Sequence, residues 1–161
     1  MNMDAIRTMD AADVVSAKLA NCYIIANGTR KLLFQAKDLK ATVKKNKKQV
    51  AILGKMMKGN KSTSMEGSGK LTIYKNTSIF DEMIERMMKS GTDTYFDMQV
   101  TNEDPTSAAG VRTVILKGCN IDEGTVANFN ADGEWLEDEI NFTFEDVKFA
   151  TKFNELDGMQ A

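Results

Sequence analysis

Three carboxylates, Glu137, Glu139 and Glu145, share one parity of the run EWLEDEINFTFEDVKF and have the best claim to chemistry in this chain. Paired carboxylates hydrolyse glycosides when an acid of raised pKa sits in a cleft opposite a second acid. A strand alternating apolar and polar residues puts the same acids on its solvated face with no cleft at all, and the pattern favours that reading. Histidine is absent, which removes the commonest general base and metal ligand, and with it His-dependent triads and most zinc sites. Cys22 and Cys119 are too few and too isolated for a metal cluster and read as reduced, buried thiols. Gly67-Ser68-Gly69 lacks the spacing and the following Lys-Ser/Thr of a phosphate loop. The stretch Asp104-Pro105-Thr106-Ser107 is turn chemistry before it is a metal site. Neither a catalytic centre nor a cofactor is expected.

The second unusual stretch is TVKKNKKQVAILGKMMKGNKS, from Thr42 to Ser62, where seven lysines surround Val50-Ala51-Ile52-Leu53. Closely spaced lysines release counterions from DNA. No aromatic residue lies between Thr42 and Ser62, however, so stacked bases would find no platform. A basic amphipathic helix at a membrane surface is interrupted by Gly54 and Gly59. What remains is a long solvated hairpin or loop, alone or against a protein partner.

The elements that would carry these residues are mostly strands. Cys22-Tyr23-Ile24-Ile25, then Asn27-Gly28, then Lys31-Leu32-Leu33-Phe34-Gln35 is a hairpin signal. Leu39, Ala41 and Val43 alternate with lysines and extend a half-buried strand towards the basic stretch. In SMEGSGKLTIYK, Met65, Leu71 and Ile73 share one parity, while Gly67 and Gly69 leave room for close approach or a bulge. The period then changes. Phe80, Met83, Ile84, Met87 and Met88 fall on one helical face, which predicts a short amphipathic helix packed on the core. Ser78 is its expected N-cap, and Gly91 its stop. Strands resume at Thr94 to Val100 and at Val111 to Ile121, with the loop Asn102 to Gly110 between them at the surface. In the last run Leu136, Ile140, Phe142 and Phe144 point one way; Glu137, Glu139, Asn141, Thr143 and Glu145 point the other.

At 161 residues, 42% apolar and 27% charged, the chain suits one soluble domain with its own core. No apolar run approaches the roughly 20 residues of a membrane span, and the start MNMDAIRTMDAADVV resembles no signal peptide. Synthesis and retention in the cytosol are expected. The net charge of −2 hides a segregation. From Arg30 to Lys61 the only acid is Asp38, against eleven lysines and arginines, whereas from Asp81 onward acids outnumber bases eighteen to six. Two oppositely charged halves favour attraction between copies of the molecule. The elements predict a mainly β fold, an antiparallel β-sandwich or partly closed barrel with one flanking α-helix. It forms a single domain over 16–161 after an arm at 1–15, with the basic hairpin or loop at about 42–62.

The runs GSGKLTIYKNTSIFDEMI, SGTDTYFDMQVTNEDPTSAAGVRTVILKGCNID and EDEINFTFEDVKFATKF, preceded by NCYIIANGTRKLLFQAKDLKATV, resemble a known family in their order and spacing. It is the inner tail-tube (core tail) protein of contractile phage tails and phage-tail-like particles, of the PBSX-like element and R-type bacteriocin group. The family's glycine-rich lead into the first strand is replaced here by Ser16-Ala17-Lys18-Leu19-Ala20. The resemblance implies a structural protein without catalysis, assembled as hexameric rings that stack into a hollow tube in a virion or tail-like particle. It implies sheath, baseplate and tail-terminator proteins as partners, DNA only as transient cargo, and no stable membrane binding. It also suggests where the two unusual stretches act. Lys44, Lys45, Lys47, Lys48, Val50, Ile52, Leu53, Met56 and Met57 are expected at contacts between subunits. Glu137, Glu139, Asn141, Thr143 and Glu145 are expected to line the bore. Competing readings are a non-contractile tail tube, a secretion-system tube protein and a monomeric nucleic-acid-binding module.

Overall fold

A computed structural model of the chain describes residues 6–160. Its elements in order are a 3-10 turn at Ala11–Asp13, β1 (Ala20–Ala26), β2 (Thr29–Leu32), β3 (Ala36–Val50), β4 (Gly59–Tyr74), α1 (Ile79–Ser90), β5 (Phe96–Glu103), β6 (Val111–Glu123), β7 (Glu137–Phe144) and β8 (Asp146–Thr151). All strand pairs are antiparallel, in the order β2-β1-β5-β6-β7-β4-β3, with β8 on β6. The expected fold class is the one found.

The sheet folds over on itself at β6. Residues Val111–Lys117 of that strand pair with β5 and β8 in one layer, where Cys119 also meets Phe96 of β5, while Asn120–Glu123 pair with β7 in the other. Between them Gly118 takes φ +66°, and a Cβ there would lie 3.1 Å from the Glu145 carboxylate. A bend with positive φ and no lateral room is a place for glycine. The chain turns again at Glu145, whose N–H donates to the Lys117 carbonyl at 2.9 Å, so that β7 serves one layer and β8 the other.

Between the layers lies the core. Ile24, Phe96, Met98, Leu116 and Cys119 come from one side, Leu71, Ile73, Ile140, Phe142 and Phe144 from the other, and Leu33 from the β2–β3 connection. Gly67 and Gly69 face the rings of Phe144 and Phe142, and a Cβ at Gly69 would lie 2.5 Å from the Phe142 ring. The glycines are therefore the floor on which those rings lie flat. Asn27 and Gly28 both adopt positive φ, 51° and 77°, as a two-residue hairpin turn requires.

The helix needs two corrections. Phe80 and Met83 are buried, with Phe80 edge-on to Phe96 at 6.1 Å, but Met87 and Met88 are exposed. Both line an open groove between the last turn of α1 and the end of β6, with Ile121, Gly124 and Val126 across from them, and do not enter the core. Ser78 makes no side-chain cap; Thr77 Oγ1 accepts the Ile79 N–H instead, at 3.4 Å. The stop is as expected, with Gly91 at φ +69° and its N–H on the Met87 carbonyl. The loop after β5 starts later than the sequence suggests, since β5 runs to Glu103, and it is not wholly superficial. Asp104, Ser107 and Ala109 are buried, and residues 13–16 hydrogen-bond to the loop. Ser16 N–H donates to Asp104 Oδ2 at 3.0 Å, Ser107 Oγ to the Asp13 carbonyl at 2.9 Å, and Ala108 N–H to Asp13 Oδ1 at 3.0 Å. The Ser16 N–H and the Thr106 N–H, which donates to Asp104 Oδ1 at 3.0 Å, hold the Asp104 carboxyl below its usual range. Residues 1–5, the first part of the expected arm, lie outside the described residues.

Candidate assembly surfaces

The basic stretch is a ribbon. β7 pairs with β4 only from Gly67 to Tyr74, yet β3 and β4 go on pairing out to Val50 opposite Gly59. Eight residues of β4, Gly59–Glu66, therefore extend beyond the third strand with β3 as their only partner among the described residues. At about 3.3 Å per residue the arm projects roughly 26 Å from the body. An isolated two-stranded ribbon is marginal in water.

Alternation along β3 puts Lys44 and Lys48 on one face and Lys45 and Lys47 on the other, so the arm is cationic all round. An irregularity between Asn46 and Lys47 leaves Thr63 unpaired in the ladder; its hydroxyl donates to the Asn46 carbonyl at 3.0 Å. Asn46 Nδ2 donates to Ser64 Oγ and to Glu66 Oε1, the one acid on the arm. The apolar residues cluster at the tip. Val50 and Ile52 are partly exposed, Met57 largely so, and Leu53 and Met56 fully so. Ile52 folds back over Gly59, its Cδ1 3.0 Å from where a Cβ would stand. The expected contact residues thus share one projection, unburied by their own chain.

On β7 burial alternates as expected. Asp138, Ile140, Phe142 and Phe144 turn inward, with Glu139 and Thr143 exposed and Glu137 and Asn141 half-buried on the outer face. Leu136 precedes the strand and is exposed, and Glu145 lies past its end, at the bend against Gly118. The outer face is not a free acidic stripe. Lys37 Nζ donates to Glu137 Oε1 at 2.6 Å, Trp135 Nε1 donates to the same oxygen at 2.6 Å, and Lys70 lies 3.3 Å from Glu139. The hydrogen bond from Lys37, then that from Trp135, holds the Glu137 carboxyl below its usual range. Lys40 stands opposite Lys70 on the same face. Sequence parity locates the glutamates but not their partners, two lysines from β3 and β4 and a tryptophan from the connection before β7.

The inward Asp138 anchors the end of the molecule away from the arm. It accepts from Lys75 Nζ at 3.0 Å and from Thr125 N–H at 2.9 Å, and Lys75 also donates to Asp81 in the first turn of α1 at 2.7 Å. Burial alone would lower the Lys75 pKa, but its hydrogen bonds to Asp81 and Asp138 raise it. One lysine thus ties sheet, helix and the β6–β7 connection together. That connection, 124–136, exposes Val126, Phe129 and Trp135, with Phe129 95% exposed. It has no apolar periodicity for a sequence reading to detect. The signal it does carry is charge: from Gly118 to Val147 there is no lysine or arginine.

Among the described residues no group of His, Cys, Asp and Glu could hold a metal ion, and no helix is long and apolar enough to cross a membrane.

The family model described as phage tail tube protein matches residues 7–150. The phage-like element PBSX protein XkdM of Bacillus subtilis (strain 168) is 39% identical over 119 residues, which span 74% of this chain and 81% of that protein. Among solved structures, the SPP1 tail tube superposes with a TM-score of 0.61 at 13% identity, covering 89% of this chain and 81% of that one. A chain of the sheath–tube complex of the PVC extracellular contractile injection system in its extended state superposes with a TM-score of 0.63 at 9% identity, covering 84% and 90%. At such low identity these two likenesses show a shared fold.

Proposed function

We propose that this chain, which belongs to the phage tail tube protein family, assembles as hexameric rings that stack into the hollow tube of a contractile tail or tail-like particle. The observation that carries this reading is the arm, a ribbon with an apolar tip that its own chain leaves in water. Burying Ile52, Leu53, Met56 and Met57 against a neighbour contributes on the order of 1.5 kcal/mol or more for each side chain fully covered. Because every subunit meets several neighbours at once, modest contacts sum to a stiff assembly. A contact between unlike surfaces repeats without closing along the stack, which gives a filament of open length.

Sheath, baseplate and tail-terminator proteins are the partners this role requires, and DNA passes through only as cargo where a genome is carried. The β7 outer face, with Glu137, Glu139, Asn141 and Thr143 and with Glu145 at the bend, lines the bore. Lys37 and Lys70 neutralise two of those glutamates, so the lining is polar and of mixed charge. Such a surface stays wet and gives phosphate no contiguous basic track to hold. Negative-stain microscopy of the full chain tests the assembly. Tubes with six-fold end views are expected; replacing residues 51–58 by Asn-Gly should leave the body folded, by circular dichroism, and abolish the tubes. Tubes that persist without the tip would overturn the arm's role.

A further inference from the structure

We propose that the arm of one subunit is received, in the next ring, by the opposite end of another copy: the 124–136 connection, with Phe129 and Trp135 as apolar contacts and Asp132 and Glu134 facing the arm's lysines. The proposal deepens the tube reading and rests on it. Placement is the first argument. The register sets Val50 opposite Gly59 at the tip, and Tyr74 beside Glu137 at the far end of the same strands. The 124–136 connection is fastened to that far end by Thr125 N–H on Asp138, by Asn128 Nδ2 on the Glu137 carbonyl at 2.9 Å, and by Trp135 edge-on to Tyr74 at 6.3 Å. Arm and connection thus stand at the two ends of β4.

Charge is the second argument. Among the described residues the ion pairs use Lys37, Lys70, Lys75 and Lys89 with Glu137, Glu139, Asp81, Asp138 and Glu85. None of the arm's lysines is in that set, and neither are Asp132 and Glu134. The arm's lysines at one end of β4, and Asp132 and Glu134 at the other, thus make no ion pair within their own chain. Two arms brought together would set lysine against lysine, and two far ends acid against acid, so the pairing that satisfies both is head to tail. The third argument is apolar. Leu53 and Met56 are bare at one end; at the other Phe129 is bare and Trp135, edge-on to Tyr74, is half exposed, and methionine adapts well to an aromatic surface.

Disulfide trapping in tubes of the full chain tests the contact, with buried Cys22 and Cys119 left in place. Leu53→Cys combined with Phe129→Cys should give, under mild oxidation, a ladder of covalent multimers on a denaturing gel. Either substitution alone should run as monomer. A ladder from Leu53→Cys with Glu85→Cys, on the exposed face of α1, and none with Phe129→Cys would overturn the proposal while leaving the tube intact. Charge reversal gives an independent readout. Lys55→Glu with Lys58→Glu, or Asp132→Lys with Glu134→Lys, should each lower the pelletable tube about tenfold or more, and all four together should restore most of it. Failure of the four-fold variant to recover, when each pair alone is folded, would also overturn it. A wild-type chain that forms rings or monomers and never tubes removes the tube reading itself, and the inference with it.

Discussion

Asp138 is 1% exposed, and its carboxyl oxygens are met by Lys75 and the Thr125 N–H. Removing one partner of a buried pair leaves the other uncompensated and costs about 3–5 kcal/mol. Asp138→Ala should fall in that range by urea denaturation of the unassembled chain, and Asp81→Ala, at the more exposed side of the same lysine, should cost less. The two buried thiols are kept neutral. Burial pushes the Cys22 thiol up to about 11 and, with the nearby Asp97 carboxylate, that of Cys119 up to about 12, against 9.0 for a free one. In the unfolded chain these thiols ionise first as pH rises. The stability they contribute is thus complete below about pH 9 and is lost between there and about pH 12. Native protein at pH 8 should react with a thiol reagent about a hundredfold more slowly than protein unfolded in urea.

Among the elements, the pairing of glycine with phenylalanine on β4 and β7 is the most exacting. Gly69→Ala places a methyl group against the buried Phe142 ring and should cost about 1–3 kcal/mol, read as a lower urea midpoint. Phe142→Leu in the same chain should return part of that loss. Local chemistry made much of the architecture legible beforehand. Asn27-Gly28 marks a hairpin wherever it occurs between β runs, and Leu71, Ile73, Phe80 and Met83 carry their periods openly. Met87 and Met88 misled because periodicity says which face of a helix is apolar, and not which of its residues reach the core. The arm was legible as a basic excursion but not as strand throughout, since a ribbon wet on both faces shows no apolar alternation. Residues 124–136 were illegible for a different reason: held by Asp138, Glu137 and Tyr74, they owe their shape to tertiary contacts that no local pattern encodes.

For the molecule as a whole, the lysine-rich stretch of the sequence becomes the projecting arm, with Asp132 and Glu134 at the other end of the same strands and Glu145 and Asp146 beside the arm's base. Contacts between exposed charges are screened as the Debye length falls from about 8 Å in physiological salt to 3 Å at 1 M. Raising salt should therefore shorten tubes into rings before it unfolds subunits, a sequence that light scattering and circular dichroism separate. One feature of the body bears on what such a tube endures. Because β6 enters both layers, and the chain from β7 to β8 does so again, the layers are stitched together by peptide bonds as well as by packed side chains. A thrust along the axis that tries to shear one layer past the other must then stretch covalent backbone at Gly118 and Glu145. A pile of such subunits resists collapse as a braced girder does, in which the diagonal members and the chords are one continuous rod.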